Sequence, residues 1–146
     1  MFELHPVLEK DTIHIGDFEL SQLLWMNDSQ YPWAILVPKI NGIREVFELD
    51  SKQQQQLMLE SNALLQAMNI VFSADKMNLA ALGNMVPQLH IHHIARFQDD
   101  VAWPNPVWGV SPAIAYTAEQ LAMAIQPLLK ELTEKCDFKE AAIKSF

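Results

Sequence analysis

The chain has 146 residues, half of them apolar and 19% charged, which suits one globular domain with a core of its own rather than a disordered segment. Its net charge of −8, from 18 acids against 10 bases, argues against a nucleic-acid polymer as partner, where a basic footprint should dominate. A small anion held by backbone donors and a few side chains stays open.

No apolar run approaches the roughly 18–20 residues a membrane span needs. The opening MFELHPVLEKD lacks a basic segment followed by an apolar one, so no signal peptide is expected. The single cysteine, Cys136, rules out an internal disulfide, reads as a semi-buried helix thiol and fits a reducing cytoplasm.

In chain order, residues 17–25 (DFELSQLLW) alternate in part and predict a strand. Asn27–Pro32 (NDSQYP) is turn chemistry, and Trp33–Val37 is a short apolar strand stopped by Pro38. A turn at Asn41–Gly42 leads into REVFEL, so the first fifty residues predict an antiparallel meander. Ser51 with Gln54 fits a capping box, with Gln53–Gln56 as the solvated start of a helix. Leu57, Ser61, Leu64, Leu65 and Met68 fall on one face of it.

Residues 77–82 and 88–97 predict two more strands, joined tightly through Gly83 and Asn84. Residues 98–116, with Pro104, Pro106 and Pro112, predict an irregular packed loop. Within it, Trp103–Trp108 either shapes a pocket or packs the C-terminal helices against the sheet, and packing is the expectation. Thr117 with Gln120 opens a helix whose buried stripe is Leu121, Ile125, Leu128 and Leu132, and Pro127 should kink it or begin another. The sum is an α+β domain around one antiparallel sheet.

The densest chemistry is QLHIHHIARF at 88–97, with three of the five histidines. On a strand, Gln88, His90, His92, Ile94 and Arg96 share one face, polar enough for a cleft, while Leu89, Ile91, His93 and Ala95 share the other. A metal site would need a third converging ligand, and Arg96 would oppose a cation. Two half-exposed histidines without a role, or a nucleophilic imidazole with a supporting neighbour, are the other readings. Spacing alone leaves all three open.

The stretch GNMVPQLHIHHIAR at 83–96 resembles the signature of the histidine-triad (HIT) superfamily of nucleotide hydrolases and transferases. Gly83 and Asn84 match its Gly–amide pair, Val86 its valine, and Gln88, His90 and His92 its three triad positions. The order of elements over residues 15–100 also follows the family, and WPNPVWG at 103–109 looks like a feature of a bacterial branch.

The resemblance implies one HIT-like domain over 1–146: a meander sheet with one central helix, then the C-terminal loop and helices from 101. It further implies a homodimer acting on a small nucleotide, with no cofactor and no metal. His90 would be the nucleophile toward an α-phosphorus, held in one tautomer by a backbone carbonyl near position 88, and His92 would contact a phosphate oxygen. Asn84 would donate to the phosphate or leaving group. Asn27, or Asp28 beside it, would hold ribose hydroxyls, and Asn78 is set against a phosphate-contacting asparagine.

The leaving group would be an amine or a second nucleotide. A nucleotide-binding or scaffolding protein with little turnover is the alternative, motivated by Gln88 in place of the first histidine and by His93 in place of an apolar residue. His93 itself reads as a structural histidine near the sheet edge, and Arg96 as a strand-end arginine in solvent.

Overall fold

A computed structural model describes residues 1–143. In chain order its elements are α1 (Pro6–Asp11), β1 (Thr12–Phe18), β2 (Ser21–Met26), β3 (Trp33–Pro38), a 3-10 turn at Val46–Glu48, α2 (Ser51–Phe72), β4 (Lys76–Ala80), β5 (Ile91–Arg96), α3 (Ala118–Lys135) and β6 (Phe138–Glu140). The strands form one antiparallel sheet in the order β4-β5-β3-β2-β1-β6. This is an α+β fold.

Both faces of the sheet are covered, which explains why β3 is apolar along its whole length rather than alternating. On one face, α2 supplies Leu57, Leu64 and Met68 and α3 supplies Leu121, Ile125, Leu128 and Leu132; they pack on Leu23, Trp25, Leu36, Ile91 and Ala95. The second face carries Leu24, Trp33, Ile35, Val37 and Ile94. It is roofed by Leu8 of α1, by Val86, and by Ala102 and Val107 of the loop after β5. The expected packing of that loop against the C-terminal helices is therefore corrected, because it lies across the sheet from them.

Several expected boundaries move for identifiable reasons. The single strand at 17–25 is two strands joined by a turn at Glu19–Leu20, which has no Gly, Asn or Pro to announce it. Its partners are remote. The amides of Leu20 and Ser21 donate to the Glu60 carboxylate of α2 at 2.8 and 3.0 Å, and Gln56 donates a third bond, so a carboxylate only 3% exposed is satisfied.

The segment REVFEL is not a strand. The Glu48 carboxylate accepts the amides of Arg44 and Glu45 around a 3-10 turn. The α2 cap sits one residue early, at Asp50 with Gln53, while the Thr117–Gln120 box of α3 is as expected. Helix α3 runs unbroken through Pro127, so there is one long C-terminal helix.

Helix α1 and strand β6 were not anticipated. Strand β6 pairs with β1 beside Gly16, where a Cβ would stand 2.0 Å from the Phe138 ring, so only glycine admits that close approach. The link between β4 and β5 spans residues 81–90 rather than a tight turn, and β5 proper begins at Ile91.

Arg96 is also corrected. It is 2% exposed, not solvated: Nε and Nη2 donate to the two Asp100 oxygens at 2.8 and 2.9 Å, and Nη1 donates to Asn78 Oδ1 at 2.9 Å. The guanidinium lies between the Tyr31 and Trp103 rings. Asp100 in turn accepts the amides of Phe97, Ala102 and Trp103, so one ion pair gathers the start of the roofing loop.

Burial alone would raise the Asp100 pKa, but the Arg96 bonds and the amides of Phe97 and Trp103 outweigh it and hold it at about 2, below the ordinary 3.8. A depressed carboxylate stabilises the fold above its unfolded pKa and loses that contribution as pH falls through the folded one. Asp100→Asn should therefore cost about 2–3 kcal/mol at neutral pH in denaturant titrations. The gap to the native protein should narrow as pH falls from 3.8 toward about 2; a gap independent of pH would contradict this assignment.

Candidate active site

The pleat of β5 and the residues leading into it separate the three histidines. His90 and His92 lie on the loop-covered face beside Trp33 and Ile35, while His93 points into the layer between sheet and α2. His93 is fully buried and completely bonded: Nδ1 donates to the Ile91 carbonyl at 2.9 Å, and Nε2 pairs with the Ser61 hydroxyl at 2.7 Å. Burial pulls its pKa down to about 4, so the ring is neutral and accepts from Ser61. Both ring nitrogens are thus engaged within the fold.

His90 is 7% exposed, and its Nδ1 lies 2.7 Å from the Gln88 carbonyl. A carbonyl can only accept, so Nδ1 carries the proton and, in the neutral ring, Nε2 keeps its lone pair. His92 is arranged the other way. The Trp33 indole donates from Nε1 to His92 Nδ1 at 3.0 Å, and an indole N–H can only donate. Burial first, then the neighbouring His90 and His93, push the His92 pKa down to about 3. The ring is therefore neutral with its proton on Nε2. The two rings meet edge to face at 5.0 Å, one presenting a lone pair and the other a proton.

Gln88 contributes only its carbonyl to this pair. Its side-chain oxygen accepts the His5 amide at 2.8 Å and its nitrogen donates to the Glu3 carbonyl at 2.9 Å, so the amide clasps the N-terminal segment. Asn84 is exposed on the bend after Gly83, whose φ of +79° suits glycine, with Val86 buried just beyond.

Asn78 spends its carbonyl on Arg96, away from the histidine pair. Asp28, only 4% exposed, accepts from the Gln30 amide and side chain and from the Ile114 amide. The side-chain oxygens of both residues are thus engaged by groups of the fold.

Asn27 accepts the Tyr116 amide and also lines a cavity of about 360 Å³ with Leu4, Thr12, His14, Gln22 and Leu24. Leu24 stands opposite Ile35, which stands opposite His92. The cavity thus opens on the same face as the histidines, two strands or roughly 10 Å away.

Two aromatic rings neighbour the pair; sequence reasoning missed Trp33 and set Trp108 in a loop expected to pack rather than to shape a pocket. Trp33 looked like one more apolar strand residue, although a buried indole needs an acceptor for its N–H. Trp108, 38% exposed, sets its ring 5.0 Å from His92 and 5.7 Å from Trp33, nearly perpendicular to both. Among the described residues, no three His, Cys, Asp or Glu side chains are grouped so as to hold a metal ion. No helix among them is long and apolar enough to cross a membrane.

A family model described as the HIT domain matches residues 7–99. A histidine triad protein from Marinobacter aquaeolei is 55% identical, with a TM-score of 0.85 over 90% of this chain and 98% of its own. One from Bradyrhizobium japonicum is 45% identical, with a TM-score of 0.87 over 89% and 97%. One from Sinorhizobium meliloti is 41% identical, with a TM-score of 0.88 over 90% and 98%. The search of curated proteins found no match.

Because their folded pKa values lie below the ordinary 6.5, His92 and His93 favour the folded state above that value, and the contribution is lost as pH falls toward about 3 and about 4. Neither ring should titrate between about pH 8 and about pH 5 in an NMR titration. A midpoint near 6.5 for either would contradict the bonding described.

Proposed function

The chain belongs to the HIT family, and from that premise we propose that it cleaves a nucleotide at its α-phosphate, with His90 as nucleophile. The observation that carries the reading is the opposed hydrogen bonding of two adjacent buried rings: His90 Nδ1 meets a carbonyl and His92 Nδ1 an indole N–H, which in neutral rings leaves a bare Nε2 on His90 beside an Nε2–H on His92. A lone pair attacks phosphorus and an N–H steadies a phosphate oxygen, so the pair divides the work of one displacement.

In the proposed reaction, His90 Nε2 bonds to the α-phosphorus and the bond to the leaving group breaks. The leaving group takes its proton from water. The Gln88 carbonyl stabilises the charge that develops on the substituted ring through the Nδ1 proton it already holds. Water then attacks the same phosphorus, the P–N bond to His90 breaks, and a nucleoside monophosphate departs.

Asn84, exposed at the rim, would donate to the phosphate or the leaving group. Asn27 would hold the ribose in the cavity, where Leu4 and Leu24 offer apolar wall to a base and Thr12 and Gln22 offer polar atoms. The leaving group is an amine or a second nucleotide.

A second reading follows from Gln88, whose side chain is tied to the N-terminal segment. In that reading the fold binds nucleotides with little turnover. Purified protein given adenosine 5′-phosphoramidate or diadenosine tetraphosphate should release AMP. His90→Ala should lower that rate by several orders of magnitude while leaving AMP binding measurable. Nucleotide binding without turnover in the native protein would instead favour the second reading.

We further propose that the chain works as a cytoplasmic homodimer joined through β4, an edge strand of the described sheet whose Leu79 is half exposed. Leu79→Lys should shift sedimentation velocity from dimer toward monomer. A native protein that sediments as a monomer at all concentrations would refute the dimer.

A further inference from the structure

Trp33 lies outside the strand motif, on β3, yet its N–H is the hydrogen bond that orients His92. In the register Trp33 stands opposite Ile94 and Ile35 opposite His92, so the indole reaches diagonally across the strand pair. It is held there rigidly. Trp33 is 6% exposed, with Tyr31 edge-on at 6.2 Å and Trp108 edge-on at 5.7 Å.

We infer that Trp33 is a positioning residue for the phosphate chemistry, its indole N–H locking His92 in the tautomer whose proton sits on Nε2. The inference rests on the reading of His90 and His92 just given and adds a residue from a different strand to it. The physical reason is a choice between two neutral rings. With Nδ1 occupied by a donor, the His92 proton must sit on Nε2, the atom left for a phosphate oxygen. Without that donor the proton can move to Nδ1. A bare Nε2 would then face an anionic oxygen, so one hydrogen bond would be lost and a lone-pair repulsion gained.

The test is Trp33→Phe, which keeps an aromatic ring in the core and removes only the indole and its N–H. Imidazole 15N spectra of the native protein should show His92 protonated on Nε2 and His90 on Nδ1. In the variant, His92 should become a mixture of tautomers. With adenosine 5′-phosphoramidate, kcat should fall about 10–100-fold while KM changes much less, since the donor matters most as charge develops in transfer. A purely structural role would instead lower the melting temperature and leave the tautomer and kcat of the folded fraction unchanged, which would overturn the inference.

A native spectrum with the His92 proton on Nδ1 would overturn it as well, and that measurement decides the matter if the variant does not fold. If the native protein turns over no substrate, the proposed reaction fails on its own. AMP binding then tests Trp33, with weaker binding by the variant expected and equal binding against it.

Discussion

The pleat of β5 is the constraint on which the rest of the molecule depends. Three imidazoles within four residues cannot share one environment, because consecutive side chains leave a strand on opposite sides. His93 is sent into the helix layer, where Ser61 and its own strand's Ile91 carbonyl satisfy it. His90 and His92 are sent to the face where no long helix lies. One strand therefore serves as a core element and as the floor of a site, and a slip of one residue would exchange the two roles.

Placing imidazoles in nearly dry surroundings has an electrostatic consequence, since a buried charge would need a counterion. His92 and His93 avoid this by staying uncharged, and Nδ1 of all three rings and Nε2 of His93 meet partners of the right polarity: carbonyl to N–H, indole or hydroxyl to lone pair. The cation that does lie on their face, Arg96, is four residues beyond His92, roughly 13 Å along the strand. Asp100 neutralises it in a two-pronged pair. That ion pair is linked to the histidines through the chain, because the loop it gathers is the one that brings Trp108 against His92.

What the sequence made legible is what depends on neighbours in the chain. The alternation at 88–97, the turn at Asn27–Pro32 and the Thr117–Gln120 cap are all local patterns, and each stands in the structure. Glu60 shows the limit. Nothing near residue 20 marks a turn, because the acceptor for its amides sits forty positions away on a helix. Arg96 was misread for a related reason: an arginine at a strand end is ordinarily solvated, and only the fold reveals that Asp100, Asn78 and two aromatic rings enclose it. Trp33 combines both failures, being hydrophobic by composition and polar by a single bond to another strand.

Gln88 shows how a motif position can change its side chain without losing its part in the geometry. What His90 takes from position 88 is a backbone carbonyl at 2.7 Å, and any residue supplies one. The side chain is then free for other work, and here its amide binds the N-terminal segment through Glu3 and His5 while Asn41 binds the same segment at Met1 and Glu3. That segment carries Leu4 into the wall of the cavity. A histidine could not donate and accept at once with the parallel reach of a primary amide, because its two ring nitrogens point in divergent directions. In this chain the glutamine at position 88 is the joint that ties the histidine pair to the wall of the neighbouring pocket.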